Sequence, residues 1–146
     1  MKLFSIIMLF MSSLGLSSCV ATSNYPTQKK PAPIDNSMSG RWFLTSLNNA
    51  GYQGPRITLQ FTGDNKVSGF SGCNRYFGPA NREMNGNLFF GRIASTKKAC
   101  FNQQNSRLEY NYLSALSRVQ SYQLSGNRLV LNGRSTHLVF FKKGFR

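Results

Sequence analysis

The chain has 146 residues, a length that accommodates one ordinary domain and a short tail and excludes a multidomain enzyme. Hydrophobic residues make up 40% of it and aromatic residues 13%, which is enough to build a core and excludes a compositionally disordered protein. Eighteen lysines and arginines stand against four carboxylates and one histidine. The net charge of +14 therefore favours anionic partners, and acid/base or metal chemistry has few residues to use.

The N-terminus has the pattern of a secretory signal. Met1 and Lys2 precede an apolar run over residues 3–16, which is too short for an ordinary membrane-spanning helix. The run ends in Leu16-Ser17-Ser18-Cys19, which resembles the bacterial lipobox. We therefore predict a lipoprotein signal peptide over residues 1–18. The alternative is a plain signal peptide followed by a chance cysteine.

Cleavage after this signal would leave Cys19 as the first residue, and the resemblance implies that its thiol and amine carry acyl chains. Each buried CH₂ contributes roughly 0.8 kcal/mol, so several chains would anchor the protein permanently. Val20 follows in place of the aspartate that favours retention in the inner membrane. We therefore expect an envelope protein at the outer membrane, facing the periplasm, rather than at the inner membrane.

Residues 19–39 are rich in Thr, Ser, Asn, Gln and Pro. This composition is typical of a flexible or partly polyproline tether. The folded domain is predicted to occupy residues 40–146.

Most of this domain has the alternation of β-strands. Ile57, Leu59 and Phe61 alternate with polar residues, which places three apolar side chains on one face of a strand. Turn sequences separate further short apolar runs, notably residues 62–66, 85–87, 125–127 and 132–133. The pattern predicts successive hairpins and therefore antiparallel pairing.

One segment, from about residue 106 to about 119, has helical periodicity. Leu108, Tyr112 and Leu116 share one face with Ala115 and Val119. The sequence Ser106-Arg107-Leu108-Glu109 fits a capping box, which gives Glu109 a structural role. One helix among many strands predicts an α+β domain, in which a curved antiparallel sheet wraps over the helix.

Four segments of the chain form a recognisable set: residues 41–44, the stretch Val67-Ser68-Gly69-Phe70-Ser71-Gly72-Cys73-Asn74-Arg75-Tyr76-Phe77-Gly78, the stretch Ile93-Ala94-Ser95-Thr96-Lys97-Lys98-Ala99-Cys100, and residues 109–116. Together they resemble the META domain of HslJ-like bacterial envelope lipoproteins. The resemblance implies a partly open β-barrel with one helix, with some members linked to stress tolerance and secretion. It brings no catalytic residues.

The cysteines that remain after acylation form an even pair, Cys73 and Cys100, in an oxidising compartment. A disulfide is favoured over two reduced cysteines packed as small hydrophobes. Such a bridge would contribute roughly 3 to 4 kcal/mol. No metal site is predicted, because two thiols cannot complete a zinc shell.

Residues elsewhere do not assemble an enzyme. His137 shares a strand face with Val139 and Phe141, which is typical of a structural histidine, and no third residue is placed to orient a Cys/His pair. The glycines Gly69, Gly72 and Gly78 lack a P-loop pattern and instead suggest bulges and sharp bends. We predict a protein that is not an enzyme and needs no cofactor.

Aromatic and basic residues interleave at the C-terminus. Lys142, Lys143 and Arg146 flank Phe145 and form a candidate contact for an anionic surface. The alternative is that Phe140 and Phe141 are strand core and the terminal cations are solvated. Because a lipoprotein seldom meets nucleic acid, anionic lipid or an acidic envelope protein is the expected partner.

The leading interpretation is a lipid-anchored, non-catalytic envelope protein that serves as a structural or binding module in stress tolerance or envelope assembly. The alternative is a carrier or pilotin-like accessory, which would bind lipid or a hydrophobic ligand in a cavity between sheet and helix. A thiol or hydrolytic enzyme is a distant third class.

Overall fold

A computed structural model describes residues 37–63, 65–83 and 85–142. The predicted signal peptide, Cys19, the tether up to residue 36, Lys143 and Arg146 lie outside this range. The elements are β1 Gly40–Leu47, β2 Ala50–Gly51, β3 Ile57–Thr62, β4 Lys66–Ser71, β5 Arg75–Arg82, β6 Leu88–Phe90, β7 Ala94–Ser95, α1 Gln103–Leu116, β8 Val119–Ser125, β9 Arg128–Gly133 and β10 Thr136–Lys142.

The strands form one curved antiparallel sheet, in the order β6-β5-β4-β3-β1-β10-β9-β8. Two further short strands lie off this order: β2 pairs with β1, and β7 pairs with β5. The two ends of the sheet approach each other, because Asn87 and Ser121 form an isolated bridge and the Tyr122 N–H donates to the Gly86 carbonyl at 3.0 Å. The sheet is therefore a nearly closed barrel with an unsealed seam, and together with α1 it confirms the predicted α+β class.

The predicted hairpins are confirmed. β3 pairs with β4 over six residues, β9 pairs with both β8 and β10, and all of these pairs are antiparallel. Apolar residues that alternate along each strand point inward, because only one face of the sheet can be buried. The largest of these are Trp42, Tyr76 and Phe140, and Tyr112 of α1 packs with them; all four are essentially inaccessible to solvent.

The helix differs from the prediction at both ends. It begins at Gln103 rather than near residue 106, and its N-cap is Asn102, whose side-chain oxygen accepts from the Asn105 N–H at 2.8 Å. The predicted capping box at Ser106 and Glu109 is therefore wrong, since Asn102 caps the helix one turn earlier. No helix in the described ranges is both long and apolar enough to cross a bilayer.

The residue predicted to end the helix lies in the sheet instead. The helix stops at Leu116, and Val119 is the first residue of β8, where it is buried. A buried apolar residue three positions after Leu116 satisfies the helical period whether or not the helix continues, so periodicity did not distinguish the two cases.

The glycines in the central motif serve close packing and turns rather than bulges. A Cβ at Gly69 would lie 2.0 Å from the Thr58 carbonyl oxygen and 2.6 Å from the Tyr76 hydroxyl, so only glycine lets the Tyr76 ring cross this strand. Gly72 has φ +92°, as the turn into β5 requires. The register shifts of the sheet lie elsewhere, in β1 and β8, so the bulges predicted at these glycines were wrong.

Candidate functional site

The two cysteines of the central motifs form a disulfide, as the sequence predicted. Cys73 lies in the turn between β4 and β5, and Cys100 lies shortly before α1, with their Cα atoms 5.6 Å apart. The bridge spans 27 positions of the chain and links the segment that precedes α1 to the turn between β4 and β5. Because both sulfurs are bonded to each other, neither is available as a thiolate nucleophile or metal ligand.

Asn74 is the central residue of a hydrogen-bond network next to this disulfide. Its side chain is 5% exposed, and its Oδ1 accepts from the Thr96 hydroxyl at 2.7 Å and from the Lys98 N–H at 3.0 Å. Its Nδ2 donates to the Lys98 carbonyl at 3.3 Å and to both carboxylate oxygens of Glu109, at 3.0 and 3.2 Å. One amide thus joins a turn, a loop and the helix.

The residues that the sequence offered for acid/base or metal chemistry have structural partners here. Glu109 is held by Asn74, and the group formed by Cys73, Cys100 and Glu109, which could hold a metal by position, has both sulfurs in the disulfide. His137 lies far from this arrangement in sequence, on β10, and its Nδ1 lies 2.8 Å from the Asn132 Oδ1 on β9. Asn74 with Thr96, Lys98 and Glu109, which we call the Asn74 cluster, therefore has a structural role and joins the sheet to the helix.

A buried tyrosine pair joins the helix to the sheet in the core. The hydroxyls of Tyr76 and Tyr112 are 2.7 Å apart, and the Tyr76 hydroxyl donates to the Thr58 carbonyl at 2.9 Å. Burial raises the pKa of both phenols above the usual value of 10, and for Tyr76 the neighbouring Tyr112 raises the pKa further. Both phenols therefore stay neutral hydrogen-bonding groups at physiological pH.

An open groove lies on the outer face of the sheet, across β1, β3, β4 and β5. We call it the arginine groove. Its volume is about 410 Å³, within the range of small-molecule sites. It is lined by Arg41, Arg56, Thr58, Gln60, Ser68, Gly69, Phe70, Arg75, Tyr76 and Phe77.

The strand register assembles this groove from distant parts of the chain. Along one row, Arg41 pairs with Gln60, Gln60 with Ser68, and Ser68 with Phe77. Neighbouring strands are about 4.8 Å apart, so the row spans about 14 Å with a polar floor between Arg41 and Phe77. A second row parallel to the first ends with Arg75 opposite Phe70.

The groove is cationic and aromatic. Its three arginines are exposed, and the Arg56 guanidinium lies 5.7 Å from the centre of the Phe43 ring. Phe77 is 60% exposed, although it is a large apolar residue in the middle of a strand. In the described part of the chain, the two carboxylates are both engaged elsewhere, Glu109 with Asn74 and Glu83 with Asn87.

Lys142, the described residue of the predicted C-terminal contact, does not line this groove. Lys142 is half-buried, with its ammonium 5.5 Å from the centre of the Trp42 ring, and Trp42 faces inward. Lys142 therefore lies at the end of the barrel, on the opposite side of β1 from Arg41. Lys143 and Arg146, the other predicted contacts, are outside the described residues, as is Cys19.

Sequence reasoning missed the arginine groove. Arg41, Arg56 and Arg75 are isolated cations in sequence and do not form a run. Alternation places Arg56 on the outward side of the strand that begins at Ile57, but bringing the three arginines together requires the register of three strand pairs.

The fold and groove define a barrel-like α+β domain with a filled interior and a cationic outer surface. The META domain model matches residues 35–144, and the chain belongs to this family. No curated protein sequence matches the chain.

Solved structures share this fold. A protein from Burkholderia xenovorans, solved by NMR, is 23% identical with a TM-score of 0.59, and the alignment covers 96% of this chain and all of that one. A second NMR structure is 28% identical with a TM-score of 0.54, covering 71% and 89% of the two chains. A DUF4847 family crystal structure from Bacteroides vulgatus is 16% identical with a TM-score of 0.51, covering 73% and 94%. The family and these neighbours carry no indication of catalysis.

Proposed function

We propose that this protein is a lipid-anchored, non-catalytic envelope protein whose META domain is a surface binding module at the outer membrane. The anchor is Cys19, after removal of residues 1–18, and residues 19–39 connect it to the domain. Support for the anchor comes from the lipobox-like sequence directly after the apolar run. A role in stress tolerance or envelope assembly follows from the family resemblance.

The observation that supports a binding role is that the buried polar groups have hydrogen-bond partners, whereas the cations on the surface are not neutralised by nearby carboxylates of the described residues. In the interior, Asn74 and Tyr112 are engaged in hydrogen bonds, and the partly buried Glu109 is held by Asn74. Outside, three exposed arginines border an open groove in which no carboxylate of the described chain neutralises them. A reaction would need free acid/base groups, whereas reversible binding of an anion needs only such a surface.

The carrier or pilotin-like alternative needs a cavity between sheet and helix. Tyr112, Ala115 and Leu116 pack the helix against the sheet there, and the Tyr112 ring lies against Tyr76 and Phe140 with ring centres 5.7 and 6.5 Å apart. These large rings occupy the position that a hydrophobic ligand would take. Binding at the outer surface therefore accounts for the structure better than an internal carrier.

The basic C-terminus is a second proposed contact with the membrane. Lys142, Lys143 and Arg146 would add attraction to an anionic membrane, each contributing about 1 kcal/mol when close to the surface. Because Lys142 already contacts the Trp42 ring, its contribution would be smaller than that of a fully exposed lysine.

Metabolic labelling with a fatty-acid analogue tests the anchor. The wild-type protein should be labelled and should fractionate with the outer membrane, and Cys19→Ala should lose the label and accumulate as an unprocessed form. Cys73→Ala provides a matched control, since it removes a cysteine from the domain and should keep the label. Label that persists in Cys19→Ala would contradict the proposal.

A further inference from the structure

The arginine groove has the composition of a site for a phosphate group attached to an apolar body. Its rim carries three guanidinium groups, which bind phosphate oxygens with paired, planar hydrogen bonds. Its floor offers the hydroxyl of Ser68 and the amide of Gln60. Phe77, at the end of the same row, exposes 60% of its surface and supplies an apolar edge.

The position of the groove relative to the N-terminus indicates what this ligand is. Arg41 is the second residue of β1, so the groove begins where the tether enters the domain. Arg41 lies 22 positions after Cys19, and even a fully extended chain over this distance spans at most about 80 Å. An anchored domain is therefore held at high local concentration next to its own membrane.

We propose that the arginine groove binds the phosphate-bearing head groups of anionic phospholipids, so that the domain docks on the membrane with the outer face of β1, β3, β4 and β5. This inference rests on the proposed function, because the anchor presents the groove to the bilayer. Arg41, Arg56 and Arg75 contact phosphates, and Phe77 inserts at the level of the glycerol backbone. The groove is the principal contact, ahead of the basic C-terminus.

Co-sedimentation with vesicles tests the groove separately from the anchor. The chain 19–146 carrying Cys19→Ser cannot be acylated, so its binding reports on the domain alone. Phosphatidylcholine vesicles with about 30% phosphatidylglycerol should bind it at low salt and release it as salt screens the charges, whereas pure phosphatidylcholine should not bind. If labelling of Cys19 fails but this binding is observed, the anchor is wrong and the groove stands.

Matched triple variants locate the contact. Each cation near an anionic surface is worth about five-fold in partitioning, so Arg41→Gln, Arg56→Gln and Arg75→Gln together should reduce binding on the order of 100-fold. Changing Lys97, Arg107 and Arg134 to Gln removes the same charge from exposed positions outside the groove and should reduce it about five-fold or less. Circular dichroism and thermal unfolding of each variant establish that it is folded.

The apolar edge has its own pair of variants. Phe77→Ala should reduce vesicle binding several-fold, whereas Phe89→Ala, which removes another exposed phenylalanine on β6, should leave it unchanged.

Several outcomes would overturn the proposal. Equal losses in the two triple variants would show that binding follows net charge alone. A loss on changing Lys142, Lys143 and Arg146 to Gln that matches the groove triple would assign the main contact to the C-terminus. Binding to pure phosphatidylcholine would exclude recognition of charge. Binding of a heparin or oligonucleotide probe that depends on the groove, with no vesicle binding, would assign the groove to a soluble polyanion instead.

Discussion

Asn74→Asp is the most informative single change in the structural cluster, because it keeps the shape of the side chain and reverses one hydrogen-bonding group. The Nδ2 that donates to both Glu109 oxygens, at 3.0 and 3.2 Å, becomes a carboxylate oxygen. The two oxygens that accept hydrogen bonds then face each other across the same distance. The variant therefore replaces a charge-assisted hydrogen bond with a pair of like charges.

The magnitude follows from two limiting cases. Two negative charges about 3 Å apart repel by about 5.5 kcal/mol at an effective dielectric constant of about 20. Alternatively, the pair takes up one proton, which costs about 1.4 kcal/mol for each pH unit above a carboxyl pKa of about 4, or about 4 kcal/mol at pH 7. Because proton uptake is the cheaper route, we expect a loss of about 4 kcal/mol at pH 7, a large share of the 5 to 15 kcal/mol typical of a domain.

The sign of the pH dependence is fixed by the same reasoning. In the variant the folded state binds a proton that the unfolded state releases at a pKa of about 4, so stability is fully present below that pH and is lost as the pH rises. The loss should therefore shrink to about 1.4 kcal/mol at pH 5. Urea unfolding followed by the fluorescence of Trp42, the single tryptophan, measures both values.

A double variant provides the control. Asn74→Asp combined with Glu109→Gln returns a donor to the helix side and removes one charge, so the difference between pH 7 and pH 5 should disappear. A loss of under about 1 kcal/mol for Asn74→Asp at pH 7, or an equal loss at both pH values, would refute the role assigned to this cluster.

Three further predictions concern the core and the disulfide. Changing both Cys73 and Cys100 to Ser should lower the free energy of unfolding by about 3.5 kcal/mol, the chain-entropy value for a loop of this length, and an unchanged urea midpoint would contradict it. Tyr76→Phe should destabilise the domain more than Tyr112→Phe, by about 1 to 3 against about 1 kcal/mol. The Tyr76 hydroxyl contacts both the Thr58 carbonyl and the Tyr112 hydroxyl, so its removal takes a partner from two buried groups, whereas Tyr112→Phe leaves the bond from Tyr76 to Thr58 in place. Equal urea midpoints would count against the hydrogen-bond chain. Burial raises the pKa of both phenols in the folded state, so the stabilisation from their neutral forms is complete below pH 10 and is lost above it. The free energy of unfolding should fall by up to about 1.4 kcal/mol per pH unit for each tyrosine, which rapid urea titrations at alkaline pH would detect. A free energy of unfolding that stays constant above pH 10 would exclude the raised pKa values.

Strand positions were predictable where one face of the strand is buried, because apolar residues such as Ile57, Leu59 and Phe61 then alternate with polar residues in the sequence. β5 was not predicted from its pattern, since Gly78 and Pro79 lie in its middle and both residues are unfavourable in strands. Gly91 makes room for the Pro79 ring, because a Cβ at position 91 would lie 2.4 Å from the Pro79 Cγ. Local composition could not show this arrangement.

The start of the helix was predicted wrongly and the groove was not predicted at all, for different reasons. Asn102 and Ser106 are both good N-caps, and local sequence does not decide between them. Asn102 caps the helix, and Glu109, which a capping box at Ser106 would use, is bonded instead to Asn74, 35 positions earlier. The groove depends on register, because Arg41, Arg56 and Arg75 share a surface only after β1, β3, β4 and β5 pair in the observed alignment. The disulfide was predictable because it followed from the cysteine count and the expected oxidising compartment, neither of which needs geometry.

Intact-mass spectrometry of the protein extracted in detergent from its native membrane tests the proposed lipid-anchored binding module most directly. We predict a chain that begins at Cys19, carries acyl groups on that residue, retains the Cys73–Cys100 bond and is recovered with bound anionic phospholipid. A mass equal to the unprocessed chain of 146 residues, or to a shortened chain without acyl groups, would contradict the account.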